Sequence, residues 1–121
     1  MPGRIAAEGA RMIYKIMSTA EWTDAQRSRV FLGSAADRLD GFIHLSDVSQ
    51  VRQTAARYFA GQDGLRLVSV SPDTLDIRWE PSRGGALFPH LYGPLPLSAV
   101  RAVHVLRLDA AGVHGFPADL A

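Results

Sequence analysis

The sequence predicts an α+β domain. Three observations carry that prediction. Short apolar runs with two-residue alternation outnumber helical patterns. The helical patterns fall in the first half of the chain. Strands and helices do not alternate as they would in a parallel βαβ protein.

The elements follow in order. MIYKIM (Met12 to Met17) is a short apolar run and reads as a strand. Ser18 and Glu21 then have the spacing of a capping box, which predicts a helix over about Thr19 to Ser28 with Trp22 and Ala25 inward. Val30 to Asp40 contains Gly33, Ser34 and Asp37, shows no clear period and reads as a loop. GFIHLS (Gly41 to Ser46) sets Phe42, His44 and Ser46 against Ile43 and Leu45, the alternation of a strand. Asp47 with Gln50 marks a second helix start. Val48, Val51, Ala55 and Tyr58 or Phe59 give that helix one apolar face to about Ala60, where GQDG stops it.

LRLVSVS (Leu65 to Ser71) is rich in branched apolar residues and predicts a central strand, ended by Pro72. DIRWE (Asp76 to Glu80) puts Ile77 and Trp79 on one face, Asp76, Arg78 and Glu80 on the other, with Trp79 expected in the core. PSRGG is a loop by its Pro and paired Gly. HLYG (His90 to Gly93) reads as a short strand, and a last strand centres on Val103 to Leu106. The tail from Gly112 is expected to be loosely held.

The length of 121 residues fits one domain, taken as 12–121, and MPGRIAAEGAR (residues 1–11) reads as a flexible leader. The chain has no cysteine, which excludes a disulfide framework and a thiolate metal site and fits a reducing cytoplasm. No apolar stretch is long enough for a membrane span, so no membrane partner is expected. A net charge of +1 gives no electrostatic case for nucleic acid. Oligomeric state is open.

Phosphate loops, a GxSxG elbow and HExxH spacing are all missing, and the histidines fall on separate segments, so no metal site is expected. Chemistry is expected on three segments: GFIHLS, RWEPSRGG and FPHLYGPL. His44 shares a strand face with Phe42 and Ser46; it is either an internally satisfied histidine or a donor or base lining a cleft. Glu80 ends its strand before a loop and is either paired with Arg78 or Arg83 or placed to act in a site. His90 and Tyr92 share a face on a segment stiffened by Pro89 and Pro94, which suits recognition or a cap over the core.

IYKI (Ile13 to Ile16), Glu21–Trp22, DGFIHLS, the QV…TAARYF helix, LRLVSV and RWEPSRGGALFPHLYGPLPLSAV together resemble the small bacterial proteins called domain of unknown function 952. The resemblance runs from Met12 to about Leu108. It implies an ADP-ribosyltransferase-like fold: two small, roughly perpendicular sheets around a split cleft, with helices outside. Enzymes of that fold hold NAD in the cleft. By the resemblance, Lys15 takes the ribose-contacting position of the first strand. His44 and Ser46 stand at the second motif, and either Glu80 or His90 fills the third. The expectation is a cleft for a nucleotide-like ligand, with His44, Glu80 and His90 catalytic and Lys15, Ser46, Arg83 and Tyr92 binding. NAD is its expected substrate and no cofactor is required. The competing expectation is a non-catalytic module that binds a metabolite or a protein; chemistry on RNA ends is the weakest, for want of a basic stripe.

Overall fold

A computed structural model describes residues 11–120, with the side chain of Arg83 outside that description. The leader therefore lies outside the described residues apart from Arg11. Strand β1 (Ile13–Ser18) leads into helix α1 (Thr19–Ser28), then β2 (Val30–Phe31), α2 (Ala35–Asp40) and β3 (Ile43–His44). Helix α3 (Val51–Tyr58) is followed by β4 (Leu65–Val70), β5 (Ile77–Ser82), β6 (Ala86–Leu91), β7 (Leu95–Pro96) and β8 (Val100–Leu106). The class is α+β, with every α-helix of the described residues before residue 60.

Among the described residues three antiparallel sheets stand where two were expected: β1-β4-β8, β3-β6-β5 and the short pair β2-β7. The extra pair arises because Val30 to Asp40 is not a loop. Val30 and Phe31 pair with Pro96 and Leu95. Ser34 and Asp37 then form a second capping box, with Asp37 N–H to Ser34 Oγ at 3.2 Å and Ser34 N–H to Asp37 Oδ2 at 2.9 Å. Gly41 closes α2 at φ 87°, a conformation a side chain would strain. The first capping box is as expected, with Glu21 N–H to Ser18 Oγ at 3.0 Å and Ser18 N–H to Glu21 Oε1 at 2.8 Å.

β4 is the central strand of its sheet, and its two faces meet separate cores. Ile13, Met17, Val68 and Val70 pack with Ala25, Phe31, Ile43, Leu45, Leu91 and Leu95, with Trp22 against them. Tyr14, Ile16, Leu65, Leu67 and Leu106 pack with Val51 and Ala55 of α3. The α3 apolar face was foreseen, but the helix starts a turn late. Gln50 Oε1 accepts from Asp47 N–H, while the Asp47 carboxylate accepts from Ser49 instead of returning to Gln50.

Two further expectations are corrected. Trp79 is 42 % exposed and belongs to neither core cluster, because β5 is the edge strand of its sheet. The tail is held: His114 Nε2–H donates to Gln62 O at 2.7 Å, Gly115 N–H to Arg107 O at 2.9 Å, and Phe116 and Leu120 pack on the α3 core. Among the described residues no helix is long and apolar enough to cross a membrane.

Val51 is 0 % exposed at the centre of the α3 contact. Val51→Asp would bury an unpaired charge there and is expected to cost about 3 kcal/mol or more. Urea unfolding measures it; a loss below about 1 kcal/mol would mean that α3 does not pack as described.

Candidate functional site

The site begins where the two three-stranded sheets meet. Tyr14 and Ser46 bond in both directions, Tyr14 N–H to Ser46 O at 2.8 Å and Ser46 N–H to Tyr14 O at 2.9 Å. Were this ladder to continue, Ile16 would pair with His44. It stops instead. His44 N–H turns to Asp37 Oδ1 at 3.1 Å, and His44 O accepts from Lys15 Nζ at 2.9 Å. A side-chain ion pair thus satisfies the backbone groups of His44 that the ladder leaves open. Ile16 shares the outward parity of Tyr14, so its N–H and C=O face the parted edge.

The pair is closely bonded. Lys15 Nζ lies 3.1 Å from Asp37 Oδ1 and 2.9 Å from Oδ2. With His44 O this gives the ammonium an acceptor for each of its donors. Asp37 is 2 % exposed. Burial pushes its carboxyl upward, but the hydrogen bond from His44, the charge and hydrogen bond of Lys15 and the Ser34 N–H outweigh burial. They hold Asp37 far below the usual carboxylate range. An ionised carboxylate only accepts, so His44 Nδ1–H is the donor in the 2.6 Å contact with Asp37 Oδ1. The other ring nitrogen lies 2.9 Å from Oδ2 of half-exposed Asp40.

Parting of the strands opens a cleft of about 350 Å³. Its polar lining includes Lys15, Asp37, Asp40, His44, Ser46 and Thr54, and Tyr58 and Phe59 supply aromatic wall. Ser46 and Thr54 hydroxyls bond each other at 2.8 Å. Of the residues singled out in the sequence, Lys15, His44 and Ser46 line this cleft.

Glu80, His90 and Tyr92 stand beside it. Cross-strand register sets His44, His90 and Arg78 side by side on one face of the β3-β6-β5 sheet. His90 is 4 % exposed, stacked on Phe42 at 4.1 Å between centroids and edge-on to His44 at 5.7 Å. Glu80 Oε1 takes His90 Nδ1 at 2.7 Å and the Tyr92 hydroxyl at 2.8 Å. These bonds, His90 foremost, lower the Glu80 carboxyl, and the same carboxylate raises the Tyr92 phenol. Arg78 bonds Asp76 and lies 4.3 Å from the Tyr92 ring. Arg83 belongs to the turn between β5 and β6, where Gly84 has φ 80° and Gly85 φ 94°. Among the described residues no group of three or more His, Asp or Glu is placed to hold a metal.

Sequence reasoning missed Asp37, Asp40, Thr54, Tyr58 and Phe59 as cleft residues. The signal for the first two was present: Ser34 and Asp37 carry capping-box spacing, and Asp40 lies on the same side one turn later.

The sequence pattern of the family described as "Protein of unknown function (DUF952)" matches residues 16–103. The chain belongs to that family. Its β1 from Ile16 on, its α2 and strands β3, β5 and β6 fall within the matched region, while Tyr14 and Lys15 of the cleft precede it. The X-ray structure of protein CC0527 from Caulobacter crescentus is 52% identical, covers 86% of this chain and 93% of its own, and superposes with a TM-score of 0.82. The solution NMR structure of the same protein is 51% identical over 84% of this chain and 90% of its own, with a TM-score of 0.74. No curated protein matches the chain.

The Asp37 shift makes an acid-stability prediction. Its folded-state value is depressed, so its contribution is complete above the unfolded value of about 3.9 and is lost as pH falls below it. Asp37→Asn is expected to cost about 3 kcal/mol at neutral pH, since Lys15 is left buried and unpaired. The variant should also unfold with a shallower acid limb than the wild type. Denaturant unfolding across the acid range measures both, and parallel acid limbs would contradict the assignment.

Proposed function

We propose that the cleft binds a small nucleotide-like ligand of the NAD type on an ADP-ribosyltransferase-like fold. The observation that carries the reading is His44 in the wall of the cleft, aligned by buried Asp37 at 2.6 Å. With Nδ1 held by Asp37, Nε2 faces half-exposed Asp40 at 2.9 Å, so a ligand hydroxyl reaches this nitrogen by bridging or displacing that contact. Two small sheets joined by one bridge and parting beyond it support the fold reading. The outward N–H and C=O of Ile16 add a donor and an acceptor suited to a planar amide. The volume falls near the small end of ligand pockets, which suits part of a dinucleotide rather than all of it.

A second reading, binding without turnover, is favoured by one arrangement. Glu80 Oε1 is occupied by His90 and Tyr92, and neither Glu80 nor His90 lines the cleft. As a transferase, the protein would need one of them, or Asp40, to stabilise developing positive charge on the sugar.

NAD, ADP-ribose and AMP titrated into isotope-labelled protein test the binding. Amide shifts are expected to concentrate at residues 14–16, 37–46 and 54–59 and to vanish in His44→Ala. Absence of localised shifts with all of these compounds would rule the nucleotide reading out. Release of nicotinamide from NAD, followed in the same tubes, separates turnover from binding.

A further inference from the structure

Charge inside the cleft decides which end of a nucleotide can enter. Among the described lining residues Lys15 is the one cation, against the carboxylates of Asp37 and Asp40. Its ammonium already meets three acceptors, both Asp37 oxygens and His44 O, within 3.1 Å. Phosphate seated deep in the cleft would therefore find no uncommitted ammonium and would approach ionised Asp37 and Asp40. Hydroxyl groups suit the same wall. Asp40 is half exposed, one of its oxygens contacts His44 Nε2, and carboxylate oxygens accept strongly from a sugar diol.

A smaller hollow of about 90 Å³ adjoins the cleft along α3. Thr54 and Tyr58 line both spaces, so Tyr58 is the partition. Beyond it stand Arg57 and Gln53 with the buried Phe88. Arg57 is exposed, its guanidinium lies 6.0 Å from the Tyr58 ring centroid, and the hollow contains no carboxylate among its described lining residues. Polarity thus changes across one aromatic ring: acidic and hydroxyl-accepting on the β3 side, cationic on the other.

We propose that the ligand enters sugar first, its hydroxyls against Asp40, with its phosphate outside over Arg57 across Tyr58. This rests on the nucleotide reading of the cleft and adds an orientation and two specificity-determining residues, Asp40 and Arg57. It also assigns Lys15 to holding the cleft open rather than to gripping the phosphate.

Adenosine and AMP, titrated at low ionic strength into wild type, Arg57→Ala, Arg57→Lys and Asp40→Asn, test it. AMP should bind wild type about fivefold more tightly than adenosine, the size of a partly screened ion pair. Arg57→Ala should remove that advantage and leave adenosine unchanged; Arg57→Lys should keep part of it. Asp40→Asn should weaken adenosine. Arg57 and Asp40 are exposed, so wild-type-like amide spectra are expected of the variants. Equal affinities for the two compounds in wild type, or an AMP advantage that survives Arg57→Ala, would overturn the orientation and leave the cleft reading standing. Binding of neither compound to wild type would overturn both.

Discussion

The ion pair between Lys15 and Asp37 is the interaction on which the site depends. Backbone pairing between β1 and β3 would otherwise run past Tyr14 and Ser46 and close the space that becomes the cleft. Asp37 takes the His44 N–H and Lys15 fills the His44 carbonyl, so the strands part with both backbone groups of His44 satisfied. Burying two charges is costly, and such a pair is seldom an efficient source of stability. Its value here is geometric. It ends a ladder at a defined residue and, through the same carboxylate, fixes the ring of His44.

Asp37 can do this because of α2. The helix begins at Ser34, whose capping box ties Asp37 Oδ2 to the Ser34 N–H and leaves Oδ1 for His44. A six-residue helix is marginal by itself, so its caps and the Gly41 turn carry much of its definition. Local sequence, local cap and cleft chemistry are therefore one connected arrangement. The second arrangement, Glu80 with His90 and Tyr92, shares a sheet face with it and touches it through the Phe42 and His44 rings. Its bonds run among its own members, and it ties β5 to β6 beside His44.

Much of the fold was legible in the sequence. Ser18 and Glu21 specified α1, the branched run from Leu65 specified a central strand, and the alternation in GFIHLS put His44 and Ser46 on one face. These are local signals, with the cause and the effect a few residues apart. What was not legible depends on distant partners. Trp79 reads as core by type, yet edge position in the sheet leaves it half exposed. His114 looks idle in the tail until Gln62, far away in sequence, supplies its acceptor. Lys15 reads as a flexible cation for a ligand until Asp37 appears opposite, and Asp37 was hidden in a stretch read as loop. The capping spacing of Ser34 and Asp37 was there, but without an apolar period to accompany it.

The central claim is that the Lys15–Asp37 pair keeps β1 and β3 apart. A Lys15→Met, Asp37→Leu double variant removes both charges together and keeps similar bulk, so neither partner is stranded. Cross-strand nuclear Overhauser contacts between Ile16 and His44 are the direct measurement. The account predicts that they appear in the double variant, as the ladder extends past the Tyr14–Ser46 bridge, and that they are absent in wild type. A folded double variant in which β1 and β3 still part at the same residue, with no Ile16–His44 contact, would contradict it.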